Sequence, residues 1–330
     1  MNKSDDSTSK RWISRQLIGL SGIAFGAAIL WLVLRHTDPA AIMGAFNRVD
    51  MPLVLSAAVA CAGAVAVRIW RWHRLLLIIG PAPLRRVAET LIVGYAANNA
   101  LPMRLGELVR ADCAKRSLGF ERTSTIGTIV VERLVDGIVL VIIMALGLAG
   151  LSGAGMLQAG ADTHILRSIL LSAALALGGG AALIVLVARY GVTSSWMPAA
   201  IAHKLEAVRQ GLAGLNRRSG PGVVSATILA WGLETIALWL LARAFDMHLA
   251  APQVATLMGA AALSTLAPTA PGFIGTYQGV FCVTLAAFGY PNEDGVVLAT
   301  AAQMVFFGPV TALGLAIYLG RTAAAWLRRS

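Results

Sequence analysis

The largest group of polar side chains in the sequence lies within residues 98–112, directly after an apolar run. Its main members are two amides and three ions, Asn98, Asn99, Arg104, Glu107 and Arg110. The three ions are spaced three residues apart, so a helix that resumes after Pro102 places them along one side. Two guanidiniums that share one carboxylate leave a net positive charge, and a guanidinium binds phosphate oxygens in a bidentate manner. The pattern predicts an anion site, with a self-neutralised anchor of the segment as the open alternative.

A second charged group, Glu132, Arg133 and Asp136, lies inside a run that is otherwise apolar from residue 126 to residue 149. On a helix Glu132 and Asp136 share a face, and Arg133 reaches Asp136 at a spacing of three. Buried charges are costly unless they are paired. One acid of this group therefore needs a cation from another segment, and we expect Arg104 or Arg110 to supply it.

A third group follows Pro268 and combines helix breakers with two polar side chains: Pro271, Gly272, Gly275, Tyr277 and Gln278. Glycine allows the backbone to approach a ligand closely. A helix that begins near Phe273 directs the positive end of its dipole at the break, where anions bind. We therefore predict that this group also contacts the substrate.

Glu234 is an isolated acid in an apolar run, between Trp231 and Trp239. Arg243 is the only basic residue near helical reach of it. An ionisable residue within a membrane is a candidate for function by default, so Glu234 is a candidate proton or cation relay. A hydrogen-bonded structural acid is an equally consistent interpretation.

Five neighbouring residues are interpreted as an interfacial belt instead of a site: Arg68, Arg71, Trp72, His73 and Arg74. Snorkelling arginines and tryptophans are typical of the head-group level of a membrane. Elsewhere the five histidines are scattered without a pair at metal-ligand spacing, and the three cysteines are isolated. We expect no metal, no cofactor and no enzyme activity.

The elements that must position these residues are apolar helices. The 330 residues are 57% hydrophobic and 13% charged, whereas a soluble chain is about a quarter charged. Runs long enough to cross a hydrocarbon core, which takes about 20 residues, recur along the whole sequence. We predict an all-α polytopic membrane protein with about six full crossings, at 17–34, 53–79, 124–150, 165–188, 222–243 and 295–319.

Two further apolar segments are interrupted. Residues 87–101 offer about 15 apolar residues, which span only about 22 Å and fall short of the far side. Residues 254–267 end in a break rich in proline and glycine, and a second helix follows to about Tyr290. Non-helical backbone at membrane depth is stable only where protein or a wet cavity satisfies it. Both segments are therefore predicted to be re-entrant hairpins.

Basic residues predict the orientation. The net charge is +11, and the basic loops fall on one side of six crossings, so the tails 1–16 and 322–330 are predicted to be cytoplasmic and 17–321 to form one membrane domain. The two hairpins then enter from opposite faces, an inverted arrangement typical of transporters with alternating access. The basic segments are too short for a nucleic-acid-binding face. Residues 201–215 fit an interfacial amphipathic helix or a plain linker equally well.

Three motifs occur in order along the chain: Asn98-Asn99-x-x-Pro102-x-Arg104-x-Gly106-Glu107-x-x-Arg110, Glu132-Arg133-x-x-Asp136 and Pro268-x-x-Pro271-Gly272-x-x-Gly275. Together they resemble the lysylphosphatidylglycerol synthase transmembrane region, also called the flippase-like domain family, over nearly the whole chain. The resemblance implies translocation of a lipid such as aminoacylated phosphatidylglycerol, a polyprenyl-linked glycan or a hopanoid. No soluble aminoacyl-transfer domain follows, so we expect no synthesis. Gln278 departs from an acid that is frequent in the family, and Phe273 from a frequent glycine.

The expected function is translocation of an anionic, phosphate-bearing lipid across the bacterial inner membrane. In this hypothesis Arg104 and Arg110 hold the phosphate, and a network of charges changes partners as access alternates: Glu107, Glu132, Arg133 and Asp136. The alternative is a lipid-binding scaffold that presents lipid to a glycosyltransferase or lipid synthase without moving it. A lipid-modifying enzyme ranks third. The expected partners are membrane lipids and, for the scaffold, a lipid-synthesis enzyme, with no nucleic acid.

Overall fold

The computed structural model of the chain describes residues 27–35, 37–101, 105–155, 220–265 and 270–327, together with seven positions between 164 and 175. Within these residues all regular secondary structure is helical, which confirms the predicted all-α class. Numbered in chain order, the main helices are α1 Pro39–Asn47, α2 Met51–Leu76, α3 Leu84–Ala100, α4 Gly106–Leu118, α5 Arg122–Gly153, α6 Gly220–Ala244, α7 Ala251–Ser264, α8 Thr276–Ala286, α9 Asn292–Phe306 and α10 Gly308–Leu327.

Four helical segments are long and apolar enough to cross a membrane: Met51–Leu76, Arg122–Gly153, Gly220–Ala244 and Asn292–Ala323. The last of these combines α9 with most of α10, which Phe307 separates. They coincide with four of the six predicted crossings and have the character of an integral membrane protein. The predicted crossing 165–188 and the segment 201–215 lie outside the described residues apart from a few positions, and of 17–34 only the helical stretch 27–34 is described.

The long helices are fixed to one another by their ends. Asp50 caps α2, because its side chain accepts a hydrogen bond from the Leu53 amide at 3.2 Å. The Asp50 amide in turn donates to the carbonyl of Ala244 at 3.0 Å, which ties the start of α2 to the end of α6. These two helices form the most extensive pair among those described. The start of one helix at the end of the other makes the pair antiparallel.

The first interrupted segment is a helical hairpin made of α3 and α4. The chain leaves the helix after Ala100 and is helical again from Gly106, as the sequence predicted. Close packing depends on Gly94, because a Cβ atom there would lie 2.8 Å from the Cβ of Arg110. Helix α4 ends at Gly119, whose φ of 77° lies in the left-handed region that glycine adopts easily. Residues 102–104, which include Pro102 and Arg104, lie outside the described residues.

The second interrupted segment runs from α7 through a 3-10 turn, Pro271–Phe273, to α8. Helix α8 begins at Thr276, later than the expected start near Phe273. The reason is backbone geometry, since Gly272, Phe273 and Gly275 all have positive φ angles of 65°, 60° and 87° and cannot continue a right-handed helix. The break is therefore longer than the sequence indicated.

The end of α3, just before the first break, lies against the second break. The carbonyl oxygen of Asn99 lies 3.7 Å from the position that a Cβ atom on Gly272 would occupy. Both regions are also held by the segment around Phe307: Asn99 donates to the Thr311 hydroxyl at 2.8 Å, and Gln303 donates to the Gly272 carbonyl at 2.9 Å. The end of α3 and the second break, which are far apart in sequence, are thus held together by the segment around Phe307.

Candidate functional site

A cavity of about 160 Å³ lies where the end of α3 and the second break meet. Its wall combines apolar side chains such as Met258, Phe306 and Phe307 with a polar set from α2, α3, α5, α6, the end of α7 and α8. The polar set consists of Arg68, Tyr95, Asn98, Asn99, Arg133, Trp231, Glu234, Thr265 and Tyr277. An apolar enclosure with a few convergent polar groups is typical of a small-ligand site.

Arg133 is the cavity arginine with the loosest bonds. Its side chain is 29% exposed, and its ion pairs with Glu107 and Asp136 are both 3.6 Å long, with a closer approach of 3.2 Å to Glu132. The Nε atom is buried and has no hydrogen-bond partner among the described residues. A guanidinium held at this distance keeps part of its hydrogen-bonding capacity available to a ligand.

Arg68 also lines the cavity, where it forms a two-pronged ion pair with Glu234. One prong is a short contact between Nη1 and Oε1, and the other joins Nη2 to Oε2 at 2.9 Å. The guanidinium carbon lies 4.7 Å from the centre of the Trp231 ring, within cation–π range. The sequence indicated only Arg243 as a cation near Glu234, but Arg243 stacks on Trp239 and the actual partner comes from another helix.

Behind Arg133 lies a buried ion network, defined by Arg71, Arg110, Glu132 and Asp136. Arg71 binds Glu132 at 2.8 Å and Asp136 at 2.5 Å, and Arg110 binds Glu132 at 2.7 Å. The four side chains are at most 5% exposed. The Thr227 hydroxyl and the Trp231 indole complete the network with bonds of 2.6 Å to Arg71 and 3.2 Å to Asp136. We expected Arg104 or Arg110 to supply a cation to one acid of this group, and the structure confirms the pairing for Arg110 and Glu132.

The interpretation of residues 68–74 as an interfacial belt is wrong for its central members. Arg71 and Trp72 are fully buried and Arg68 nearly so. The Trp72 indole donates to the Thr128 hydroxyl at 3.2 Å, and the Arg110 guanidinium lies 3.7 Å from the centre of its ring. Arg74 is exposed, as a belt residue would be. The arginines are buried because carboxylates on α5 and α6 compensate the loss of water.

A pattern in the sequence did mark these arginines as buried. Small or apolar residues and the two arginines alternate at spacings of four and three along α2, which places them on one helix face: Ala57, Cys61, Ala64, Arg68, Arg71 and Leu75. All six are buried. The two arginines continue the stripe of small residues along the same helix face. This position predicts that they face the protein interior.

The residues of the second break divide into two roles. Tyr277 lines the cavity, whereas Gln278 holds the turn together, because its side-chain oxygen accepts from the Gly275 amide at 2.8 Å and its amide donates to Gln303 at 2.6 Å. Pro271, Gly272 and Gly275 form the turn itself. A carboxylate at position 278 would have no N–H group to donate to the side-chain oxygen of Gln303.

The structure therefore brings most of the predicted site residues together, in two layers. Asn98, Asn99, Arg133, Glu234 and Tyr277 line the cavity, and Arg110, Glu132 and Asp136 form the buried ion network behind it. Glu107 lies between the layers through Arg133. Arg104 lies outside the described residues, so the predicted net positive charge stays a prediction. Arg68 and Arg71 are the members that sequence reasoning missed.

Charge in the described part of this site is balanced. Four arginines, Arg68, Arg71, Arg110 and Arg133, face four carboxylates, Glu107, Glu132, Asp136 and Glu234. Among the described residues there is no group of three histidine, cysteine or acidic side chains arranged to hold a metal ion. The site offers guanidiniums, amides and phenols, which donate hydrogen bonds to the oxygen atoms of an anionic or polar ligand.

The long apolar helices and the polar cavity beside the helix breaks place the chain in the class of polytopic helical membrane proteins. Comparison with known proteins identifies the family. Residues 19–314 match the family described as the lysylphosphatidylglycerol synthase TM region. The chain belongs to this family, which links it to membrane lipids. It is also similar to a UPF0104 membrane protein of Methanothermobacter thermautotrophicus, with 24% identity over 326 residues that cover 89% of this chain and 90% of that protein.

Proposed function

We propose that the protein translocates an anionic, phosphate-bearing lipid across the bacterial cytoplasmic membrane through the cavity between the two breaks. Family membership supports a role with lipids. The position of the cavity supports translocation, because discontinuous helices that meet between long crossings are the arrangement by which transporters expose a site to either side. The protein acts in this proposal as a carrier and not as an enzyme.

The position and bonding of Arg133 are the main support for the proposal. It lines the cavity, it is part of a helix that is long enough to span a membrane, and two of its three acidic partners lie 3.6 Å away. A lipid phosphate that enters the cavity can form short, charge-assisted bonds to it without displacing a strong bond. Asn98 lies in the same wall, and the N–H groups of a side-chain amide are donors of the kind that phosphate oxygens accept.

Arg110 has a different position from the one our phosphate hypothesis requires. It is 2% exposed, bonded to Glu132 and absent from the cavity wall. Direct contact between Arg110 and the phosphate therefore stays a prediction, and we assign the cavity contact to Arg133 in the proposal. Arg110 then acts through Glu132, which it holds against Arg133.

The hairpins are proposed to be re-entrant and to enter from opposite faces. The start of α3, the end of α4 and the end of α10 lie together, since Arg86 donates to the Ser117 carbonyl at 2.9 Å and Arg321 bonds Glu89. This end is rich in arginine and is therefore assigned to the cytoplasm. The other end of α3 lies away from it, because the Asn99 carbonyl oxygen is 3.7 Å from the position of a Cβ atom on Gly272, and this supports a hairpin that returns to the side it came from.

Lipid transfer by the purified protein in liposomes tests the proposal. Fluorescent phosphatidylglycerol is placed in both leaflets, and a membrane-impermeant quencher measures how fast the inner-leaflet lipid reaches the outside. We expect transfer with wild-type protein and its loss with Arg133→Ala. Arg74→Ala is the matched control, because Arg74 is an exposed arginine outside the cavity. Arg133→Lys keeps the charge and the fold but lacks the guanidinium fork, and it should transfer slowly.

The same liposomes distinguish the alternatives. A scaffold would bind phosphatidylglycerol without moving it, so binding with no transfer in the wild type would contradict translocation. A lipid-modifying enzyme would generate a new lipid species, which mass spectrometry of the extracted lipids would detect. Equal transfer by wild type and both Arg133 variants would contradict the role of the cavity.

A further inference from the structure

The ion pair between Arg68 and Glu234 differs from the other ion pairs of the site because, within the described part of the chain, it is not part of a larger network of charges. Glu132 is bonded to three arginines, and Asp136 is bonded to two arginines and an indole. Glu234 is bonded to Arg68 alone among the described charged residues. Both members of the pair line the cavity and are only 8% and 13% exposed, so each depends on the other for its neutralisation.

Among the residues that the structure describes, the surroundings of Glu234 offer no cation that is free to replace Arg68. Cys61 lies beside it on α2, and Tyr277 faces it from α8. Helix α3 contributes Tyr95 to the same wall, and α5 contributes Arg133, which is engaged with three acids. The wall positions from α7, α9 and α10 carry no ionisable side chain. If Arg68 turns to another anion, Glu234 is left as an unpaired carboxylate in a largely apolar enclosure.

An unpaired buried carboxylate has a simple way to lose its charge. Because burial without a partner disfavours the ionised form, such a group takes up a proton. The indole of Trp231 keeps Arg68 in the wall through its cation–π contact, so the guanidinium stays in the cavity when its carboxylate is replaced. The geometry thus allows the anion on Arg68 to be exchanged without movement of the helices.

We infer that Arg68 is a second phosphate-binding residue and that Glu234 is its exchangeable counterion: an anionic lipid phosphate replaces the carboxylate on Arg68, and Glu234 takes up one proton. This inference rests on the proposed function. The charge balances at each step, because Arg68 with ionised Glu234 is neutral, and Arg68 with one phosphodiester and protonated Glu234 is also neutral. Release of the lipid frees Arg68, and Glu234 returns its proton and pairs again.

The exchange has a consequence for transport. One proton enters the site with each singly charged head group, so the empty and loaded cavities carry the same net charge. A lipid with one negative charge therefore moves together with one proton. Affinity for such a lipid should fall as the pH rises, with a limit of about tenfold per pH unit for one linked proton.

Titration calorimetry with short-chain phosphatidylglycerol in detergent solution tests this exchange. Measurements in buffers of different ionisation enthalpy give the number of protons taken up per bound lipid. We expect close to one proton for wild type and none for Glu234→Gln, which mimics the protonated acid. This variant should also bind with the same affinity at about pH 6 and about pH 8. Asp112→Asn is the matched control, since Asp112 is an arginine-paired acid outside the cavity, and it should retain the proton uptake.

The outcomes separate the two proposals. Lipid binding without proton uptake, and with equal affinity at both pH values, would overturn the exchange and leave lipid translocation standing. Absence of any lipid binding by folded wild-type protein would overturn both. Glycerophosphoglycerol, the deacylated head group with one singly charged phosphodiester, serves as a soluble probe of the same chemistry. If it binds as tightly as the lipid and with the same proton uptake, the site is one for a free phosphate, and the lipid assignment is overturned.

Discussion

The two layers of the charged site have the same chemistry but opposite construction. In the buried ion network each acid is shared between arginines, the bonds among its four members are 2.5–3.2 Å long and the side chains are at most 5% exposed. In the cavity layer Arg133 is held at up to 3.6 Å from its acids, and Arg68 has one acidic partner among the described residues. We therefore interpret the buried ion network as an inner layer that fixes the helices, and we propose that the charged cavity side chains form an outer layer suited to the exchange of anions.

Energetics support this division. Breaking a buried ion pair by removal of one partner costs about 3–5 kcal/mol, because the remaining charge is left uncompensated. Removal of a partly exposed partner costs less, because water replaces it. Variants of the inner layer should therefore lose stability, whereas variants of the outer layer should lose lipid binding.

The largest effect is expected for Arg71→Ala. Arg71 bonds both Glu132 and Asp136, so its removal leaves two buried acids with fewer cations and should cost about 3–5 kcal/mol of folding free energy. Thermal unfolding in detergent, or the yield of monodisperse protein, measures this loss. Arg74→Ala, one helical turn further along and exposed, should change little. Equal stability of both variants would contradict a structural inner layer.

A smaller loss of stability is expected for Gly94→Ala, which places a methyl group against Arg110 of the inner layer. The new methyl group would lie 2.8 Å from the Cβ of Arg110 and would push α4 away from α3. Overpacking of this kind costs about 1–3 kcal/mol. The matched control is Gly232→Ala on α6, where no atom lies within 4 Å and alanine is the better helix former. Its thermal stability should be equal or higher.

Arg133→Ala should have the opposite effect to the inner-layer variants. It should lose little stability but clearly lose lipid binding. A hydrogen bond to a charged group contributes about 1.5–3 kcal/mol, so affinity for phosphatidylglycerol should fall about 10-fold to 100-fold. Titration calorimetry measures the affinity, and thermal unfolding measures the stability of the same sample. A variant that unfolds like Arg71→Ala would assign Arg133 to the inner layer.

The smallest effect is expected for Arg321→Ala, which removes an ion pair outside both layers. Arg321 bonds Glu89 near the end of the bundle, where the two side chains are 36% and 23% exposed. Exposed pairs of this kind contribute at most about 1 kcal/mol. Stability and lipid binding should therefore both stay close to wild type, and a large loss of transfer would indicate that this end of the bundle takes part in transport.

Hydrophobicity and helix breakers made much of the fold predictable. Four crossings and both helix interruptions follow from apolar run lengths and from Pro102 and Pro271, because these are properties of a single segment. The later start of α8 was not predictable in this way, since it depends on the backbone angle of Phe273, which packs on Phe307 from a distant segment.

The charged site was predictable only in part, for a physical reason. The spacing of Glu132, Arg133 and Asp136 shows that they share a helix and need a partner, but spacing does not name a partner on another helix. Arg110 was found because it belongs to a conspicuous polar group. Arg71 was assigned to the membrane surface because an arginine near a helix end usually reaches water. The carboxylates of α5 offset the free-energy cost of burying its charge, and they are 61 and 65 residues away in sequence.

Native mass spectrometry of gently extracted protein tests the central claim most directly. The account predicts that wild type and Arg74→Ala both retain an anionic, phosphate-bearing lipid, and that Arg133→Ala loses it while it stays folded. If all three carry the same bulk lipid in the same amount, the cavity is not a binding site for the lipid phosphate, and the account is contradicted.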